Sequence, residues 1–210
     1  STFFACNPLK GKAPLLVSAL MYTNPMMIYF GQELGEKGMD AEGFSGEDGR
    51  TTIFDYWTVD TIRRWRNNGK FDQKLLTEDE LSLQEYYAKV LNICNSSEAV
   101  REGEFYDLMY VNPQLQKQYT FVRHSEKETL LVIANFASQD TEITINVPEH
   151  LFEYYGIKEN TACEWTDLLS GSQITTAFSS NMPTKLNVPS WGGCILKMKS
   201  VKKAGKKTKS

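Results

Sequence analysis

Residues 25–35 read PMMIYFGQELG. Met26, Met27, Ile28, Tyr29 and Phe30 form an unbroken apolar run, which predicts a strand covered on both faces. Gly31, Gln32 and Glu33 then place polar groups just beyond its C-terminal end, where α/β folds keep their sites. A strand of this kind belongs in a parallel sheet and needs neighbours of its own type. The residues before it supply one helix-like segment and no second such strand, so the first half reads as part of a larger domain.

That helix-like segment starts at Ala13. Ala13, Leu16, Val17, Leu20 and Met21 follow helical spacing, and Pro14 falls in a first turn, where its missing N–H does no harm. After the strand, residues 35–57 alternate Gly35, Gly38, Gly43, Gly46 and Gly49 with acids, which predicts a long functional loop. Neither GxxxxGK[ST] nor GxGxxG occurs there, so no phosphate cradle and no nucleotide cofactor is expected. Asp40, Glu42, Glu47 and Asp48 offer hard oxygen ligands for calcium, but the run does not follow a calcium-loop pattern and solvated acids account for it. Phe54, Asp55, Tyr56 and Trp57 close the loop. Aromatic planes beside carboxylates and amides suit the flat apolar faces and hydroxyl edges of sugars, and they equally suit packing of the loop onto a rim.

Further on, residues 60–67 predict a short helix stopped by Asn67-Asn68-Gly69. Thr77 and Glu80 form a capping box before Leu83, Tyr87, Val90 and Cys94, which recur along one helix face. The polar stretch 95–103 is the candidate boundary. Beyond it the period changes to that of short strands, at 105–111, 118–124, 129–136, 141–147, 162–167, 173–176 and 193–199, as in an antiparallel sandwich able to fold by itself. No catalytic constellation lies in this half. Trp165 and Trp191 fit burial better than sugar stacking.

Composition sets the outer limits. The chain has 210 residues, too few for a complete (β/α)8 barrel of about 250, and a 41% hydrophobic content that supports a real core. A net charge of -3 leaves no basic field for nucleic acid, and the lysines of residues 201–210 read as a solubilising tail. Cys6, Cys94, Cys163 and Cys194 are too dispersed for a zinc site or a disulfide framework and read as small core residues. His124 and His150 lack metal-ligand spacing and are assigned to the surface, so no metal site is expected. No run of about 18 apolar residues predicts a membrane span.

NPMMIYFGQELGEKGMD, followed by GFSGEDGRTTIFDYW, resembles the last barrel strand and following loop of the α-amylase family of glycoside hydrolases, especially its gut-bacterial form. The resemblance is specific over residues 1–95 and weaker beyond. It implies an α/β plus all-β chain, the last strand and helices of an incomplete (β/α)8 barrel (residues 1–95), a linker (96–103), an antiparallel β-sandwich domain (104–200) and a tail (201–210). Retaining glycosidases need two carboxyl groups about 5–5.5 Å apart. In this family they lie on middle barrel strands, with a further aspartate in an Asn-His-Asp motif, and none of those motifs occurs here. The resemblance therefore implies no catalytic residue in this chain, which would be inactive alone, and neither Glu33 nor Asp55 fills that role. It implies instead a complete protein, soluble in a bacterial cytoplasm or periplasm, that acts on α-linked glucans. Gln32, Glu33, Asp48, Arg50, Tyr56 and Trp57 would be its substrate-side residues. Its partners would be an α-glucan oligosaccharide and the missing N-terminal part of the barrel. The alternative from another class is a noncatalytic carbohydrate-binding or scaffold protein whose function lies in the β-domain.

Overall fold

The computed structural model describes residues 7–38 and 59–199. A 3-10 turn, Pro8–Gly11, is opened by Asn7, whose side chain accepts from the Leu9 N–H at 2.8 Å. It leads into helix α1, Lys12–Leu20, which buries Ala13, Leu15, Leu16, Ala19 and Leu20. Helix α2, Asp60–Arg66, ends where Asn67 and Asn68 take left-handed φ values of 39° and 55°, the stop the dipeptide predicts. Helix α3, Glu78–Ser96, carries the full capping box: Thr77 accepts from the Glu80 N–H, and the Glu80 carboxylate accepts from the Thr77 N–H. That carboxylate also holds the Arg64 guanidinium, with contacts of 2.5 and 3.1 Å, and so ties α2 to the start of α3. Glu80→Ala removes the cap and the tie together and is expected to lower stability by about 1–2 kcal/mol, read by denaturant unfolding.

Within the polar stretch 95–103 the chain forms a further helical turn, α4, Glu98–Arg101, with Ala99 and Val100 buried. The strands are β1 (Glu104–Asp107), β2 (Gln118–His124), β3 (Thr129–Asn135), β4 (Thr141–Ile145), β5 (Asn160–Asp167), β6 (Gln173–Phe178), β7 (Thr184–Val188) and β8 (Gly193–Met198). A helix absent from the sequence reading, α5 (Glu149–Tyr155), connects β4 to β5. Six strands form an antiparallel sheet in the order β1-β2-β3-β8-β5-β6, and β4 pairs with β7 in a separate two-stranded sheet. β1 is shorter than the expected 105–111 because the Asp107 carboxylate accepts from the Met109 N–H at 3.0 Å and turns the chain into a 3-10 turn, Met109–Val111.

Two apolar cores lie on opposite faces of the large sheet. One joins Val122, Leu131, Ile133, Trp165 and Leu196 to Ile143, Ile145, Leu186 and Val188 of the small sheet and to Leu151 and Phe152 of α5. The other joins Phe121, Leu130, Val132, Ala134 and Ile195 to α1, α3 and α4. β3 is consequently the strand buried along its whole length and on both faces. Residues 26–30 are not: they run outside any strand, with Met26, Ile28 and Phe30 half-buried and Met27 84% exposed. The expectation of a doubly covered strand fails there because no described strand lies beside them to take their backbone hydrogen bonds. Likewise no closed barrel forms among the described residues.

Cys163 and Cys194 are buried in the first core and Cys94 is half-buried against α1, all three as free thiols. Burial pushes their pKa values up, to about 11 for Cys94 and Cys163 and about 12 for Cys194, which makes them unreactive packing residues. Cys6 lies outside the described residues. Trp165 is fully buried, and Trp191 is half-buried beneath Lys10, whose Nζ stands 4.8 Å from its ring centre.

Candidate functional site

The expected site region begins at Gly31–Gly35. Gly31 and Gly35 both take left-handed φ values, 73° and 75°, and between them Gln32–Leu34 makes one 3-10 turn. At Gly35 a side chain is excluded twice over, because a Cβ would also stand 2.5 Å from the Pro8 ring. Gln32 is used up in this turn: its Oε1 accepts from the Tyr29 N–H at 3.1 Å and its Nε2 donates to the Tyr87 hydroxyl at 3.0 Å. It therefore positions the chain against α3. Glu33 is half-buried at the rim of an apolar cavity of about 530 Å³. Phe30, Ile62, Trp65, Tyr87 and Leu91 line the same cavity. Burial raises the Tyr87 hydroxyl's pKa, the Gln32 bond works against this, and the nearby Glu33 charge adds to it.

Glu36 is a polar residue that the sequence reading passed over. It is buried, accepting from the Thr61 hydroxyl at 2.5 Å and from the Gly38 N–H at 3.0 Å. The only signal available was an acid between two glycines after an apolar run, too common to single out. Its carboxylate ties the turn to α2, so the two ends of the intervening segment, residues 39–58, are held against each other. Asp48, Arg50, Tyr56 and Trp57, as well as Asp40, Glu42, Glu47 and Asp55, fall in that segment and lie outside the described residues. Of the six candidates the structure brings Gln32 and Glu33 together, beside Tyr87, which helical periodicity marks as one face of α3, and Trp65, which the sequence reading does not single out.

Among the described residues the rim carries the half-exposed Glu33 carboxylate, an apolar floor and aromatic edges. Such a lining can bind an amphipathic ligand or seat another part of a protein. Among the described residues no group of three or more His, Cys, Asp or Glu is placed to hold a metal ion. Nor is any described helix long and apolar enough to cross a membrane. His124 and His150 serve other purposes. His124 sits against the Tyr155 ring at 4.5 Å with its Nδ1 2.8 Å from the Thr129 hydroxyl, and burial lowers its pKa. The Nδ1 of His150 lies 3.0 Å from the Tyr106 hydroxyl.

No family model matches the sequence, and no curated protein matches it. The fold, however, matches solved structures of α-amylase-family enzymes. A variant of AmyP in complex with maltotriose superposes over 92% of this chain and 35% of its own, with a TM-score of 0.61 and 15% identity. The α-amylase of Geobacillus thermoleovorans, complexed with acarbose, covers 93% of this chain and 34% of its own, with a TM-score of 0.55 and 14% identity. The isomaltulose synthase of a Klebsiella species covers 91% and 38%, with a TM-score of 0.52 and 18% identity. At these identities the likeness is one of fold. The chain spans about a third of the length of the structures it matches.

Proposed function

We propose that this chain is the C-terminal portion of an α-amylase-family glycoside hydrolase that acts on α-linked glucans of the starch or maltooligosaccharide type. Residues 1–95 would complete its (β/α)8 barrel, 96–103 would connect, 104–200 would form its β-sandwich domain and 201–210 a tail. The observation that carries this is a fold match over nine-tenths of the chain to about a third of each enzyme, joined to the sequence resemblance over 25–57. Neighbours solved with maltose and maltotriose support the substrate class.

Residues 26–30 support the same reading. An apolar run with Met27 84% exposed, beside an open apolar cavity floored by Ile62, Tyr87 and Leu91, has the chemistry of a surface that further barrel strands would cover. The chain would then hold substrate and complete the barrel, while the paired carboxylates come from the preceding part. The intact mass of the natural protein tests this. A polypeptide about three times as long, releasing reducing ends from amylose, is the expected result. A protein that ends at these 210 residues would overturn it.

In that complete enzyme the segment 35–57 would help hold the glucan, with Tyr56 and Trp57 stacking on sugar and Gln32, Glu33, Asp48 and Arg50 as the polar neighbours. Gln32 then acts by fixing the turn. Aromatic stacking contributes on the order of 1–2 kcal/mol, so Tyr56→Ala and Trp57→Ala should each lower kcat/KM for oligosaccharides roughly tenfold with little change in melting temperature. Normal kinetics with several degrees of lost stability would instead assign both rings to packing.

A further inference from the structure

A second aromatic site lies far along the chain from residues 31–57, where β1 and its following turn meet α5. Tyr106 stands at its centre, with its hydroxyl 2.8 Å from the Tyr110 hydroxyl and 3.0 Å from Nδ1 of His150. One helical turn after His150 comes Tyr154, its ring 6.1 Å from the imidazole and inclined by only 20°. The charge of the nearby Glu104 carboxylate favours the protonated Tyr154 hydroxyl and raises its pKa. Tyr155 donates to the Glu104 carbonyl from beneath. Phe105 and Asp107 complete the wall of a shallow depression of about 370 Å³.

Two facts need a cause beyond folding. Tyr106 and Tyr155 already join α5 to β1 as half-buried residues. Tyr110 and Tyr154, by contrast, are 61% and 54% exposed, so their rings add little to that joint. Yet Tyr110 is held by its hydroxyl contact with Tyr106 and Tyr154 by stacking on the His150 ring, which removes rotamer freedom that an idle surface side chain would keep. Exposed rings held in place in this way are preorganised for a ligand that has apolar faces and hydroxyl edges. Among the described residues neither Lys nor Arg lines the depression, so its described lining offers anionic ligands and nucleic acid no counter-charge, while Asp107 and His150 can exchange hydrogen bonds with hydroxyls.

The geometry points to a carbohydrate-binding site on the β-domain, in which Tyr110 and Tyr154 stack on a glucan chain and Asp107 and His150 bond its hydroxyls. The commitment to an α-linked glucan rests on the proposed function above. The presence of a sugar site rests on the cluster alone. In a complete enzyme such a site would hold polymeric substrate to the surface away from the cleft.

Affinity electrophoresis of the 210-residue chain, in gels with and without amylopectin and with a β-linked glucan as the second arm, tests both layers. The chain should be retarded by amylopectin alone. Tyr110→Ala and Tyr154→Ala should each raise the dissociation constant about tenfold and the double variant should migrate freely, all with an unchanged melting temperature. Tyr154→Phe, which keeps the ring, should bind within about threefold of the unaltered chain. Migration unaffected by any glucan, alanine variants that bind normally, or a Tyr154→Phe as weak as Tyr154→Ala would each overturn the site. Retardation by the β-linked glucan alone, lost in the same alanine variants, would keep a sugar site and overturn the α-glucan reading. A protein partner captured through these tyrosines with no glucan retardation would also overturn it.

Discussion

Residues 104–210 expressed without the helices that precede them are expected to self-associate and bind hydrophobic dyes, in contrast to the full chain. The sequence reading expects a sandwich that folds by itself, because each strand there alternates or runs apolar without reference to what lies upstream. The structure gives a different balance. Phe121, Leu130, Val132 and Ile195 are fully buried, and they face Leu16, Leu20, Val90 and Ala99 across the second core. The contact is close: a Cβ on Gly193 would stand 2.5 Å from a Leu16 methyl and 2.0 Å from the Ile133 carbonyl oxygen. Exposing four such side chains forfeits about 1.5–3 kcal/mol each, a sum comparable to the whole stability of an ordinary domain at about 5–15 kcal/mol. Size-exclusion chromatography and a thermal melt decide the matter. A monomeric fragment that unfolds cooperatively within a few degrees of the full chain would show that α1 and α3 are accessory to the sheet.

The difference between these two balances has a physical origin that recurs along the chain. Local signals were legible wherever one segment carries the whole cause. The capping box of Thr77 and Glu80 closes as expected, the paired asparagines stop α2, and β2 has the bounds its sequence implies. The alternation of Thr141, Ile143 and Ile145 likewise appears as a strand with one buried face. Two further elements had signals that were passed over. Thr184, Leu186 and Val188 alternate inward in β7, and α5 runs from Pro148 to a left-handed Gly156 at φ 64° with Leu151 and Phe152 buried. What could not be read is anything fixed by a partner. The run 26–30 states that it is apolar and says nothing of what covers it, and among the described residues the strand buried on both faces is β3. Gln32 looked free to meet a ligand because nothing local shows Tyr87 reaching it from α3. The tyrosine cluster stayed invisible for the same reason, since residues 104–110 and 149–155 meet only in the folded protein.

Arg123 shows most directly how the helical layer and the sheet depend on each other, and Arg123→Ala is expected to destabilise the chain by about 3–5 kcal/mol. The side chain rises from β2 and is only 2% exposed. Among the described residues no carboxylate pairs with it. Its Nε donates to the Ala99 carbonyl at 3.0 Å, its Nη1 to Met21 at 3.0 Å, and its Nη2 to Val100 at 2.9 Å and Gly103 at 2.8 Å. Met21 caps the C-terminal end of α1, and the other three carbonyls belong to α4 and its exit, so one guanidinium serves backbone acceptors that helix ends leave without partners. Burial lowers its pKa, with the Tyr155 hydroxyl acting in the opposite direction, and the fork of donors offsets that desolvation. Truncation leaves four carbonyls without this donor, those of Ala99 and Val100 in buried positions, each costing on the order of 1 kcal/mol. At about 2–4 °C per kcal/mol for a chain of this size, the melting temperature should fall by roughly 10 °C. Two further variants separate bracing from packing. Arg123→Lys keeps the charge but gathers its donors on one nitrogen and should recover less than half the loss. Arg123→Met fills much of the volume and donates nothing, so it should melt close to Arg123→Ala. A methionine variant as stable as the unaltered chain would mean that volume alone matters at this position and that the carbonyls of α1 and α4 do not need the guanidinium.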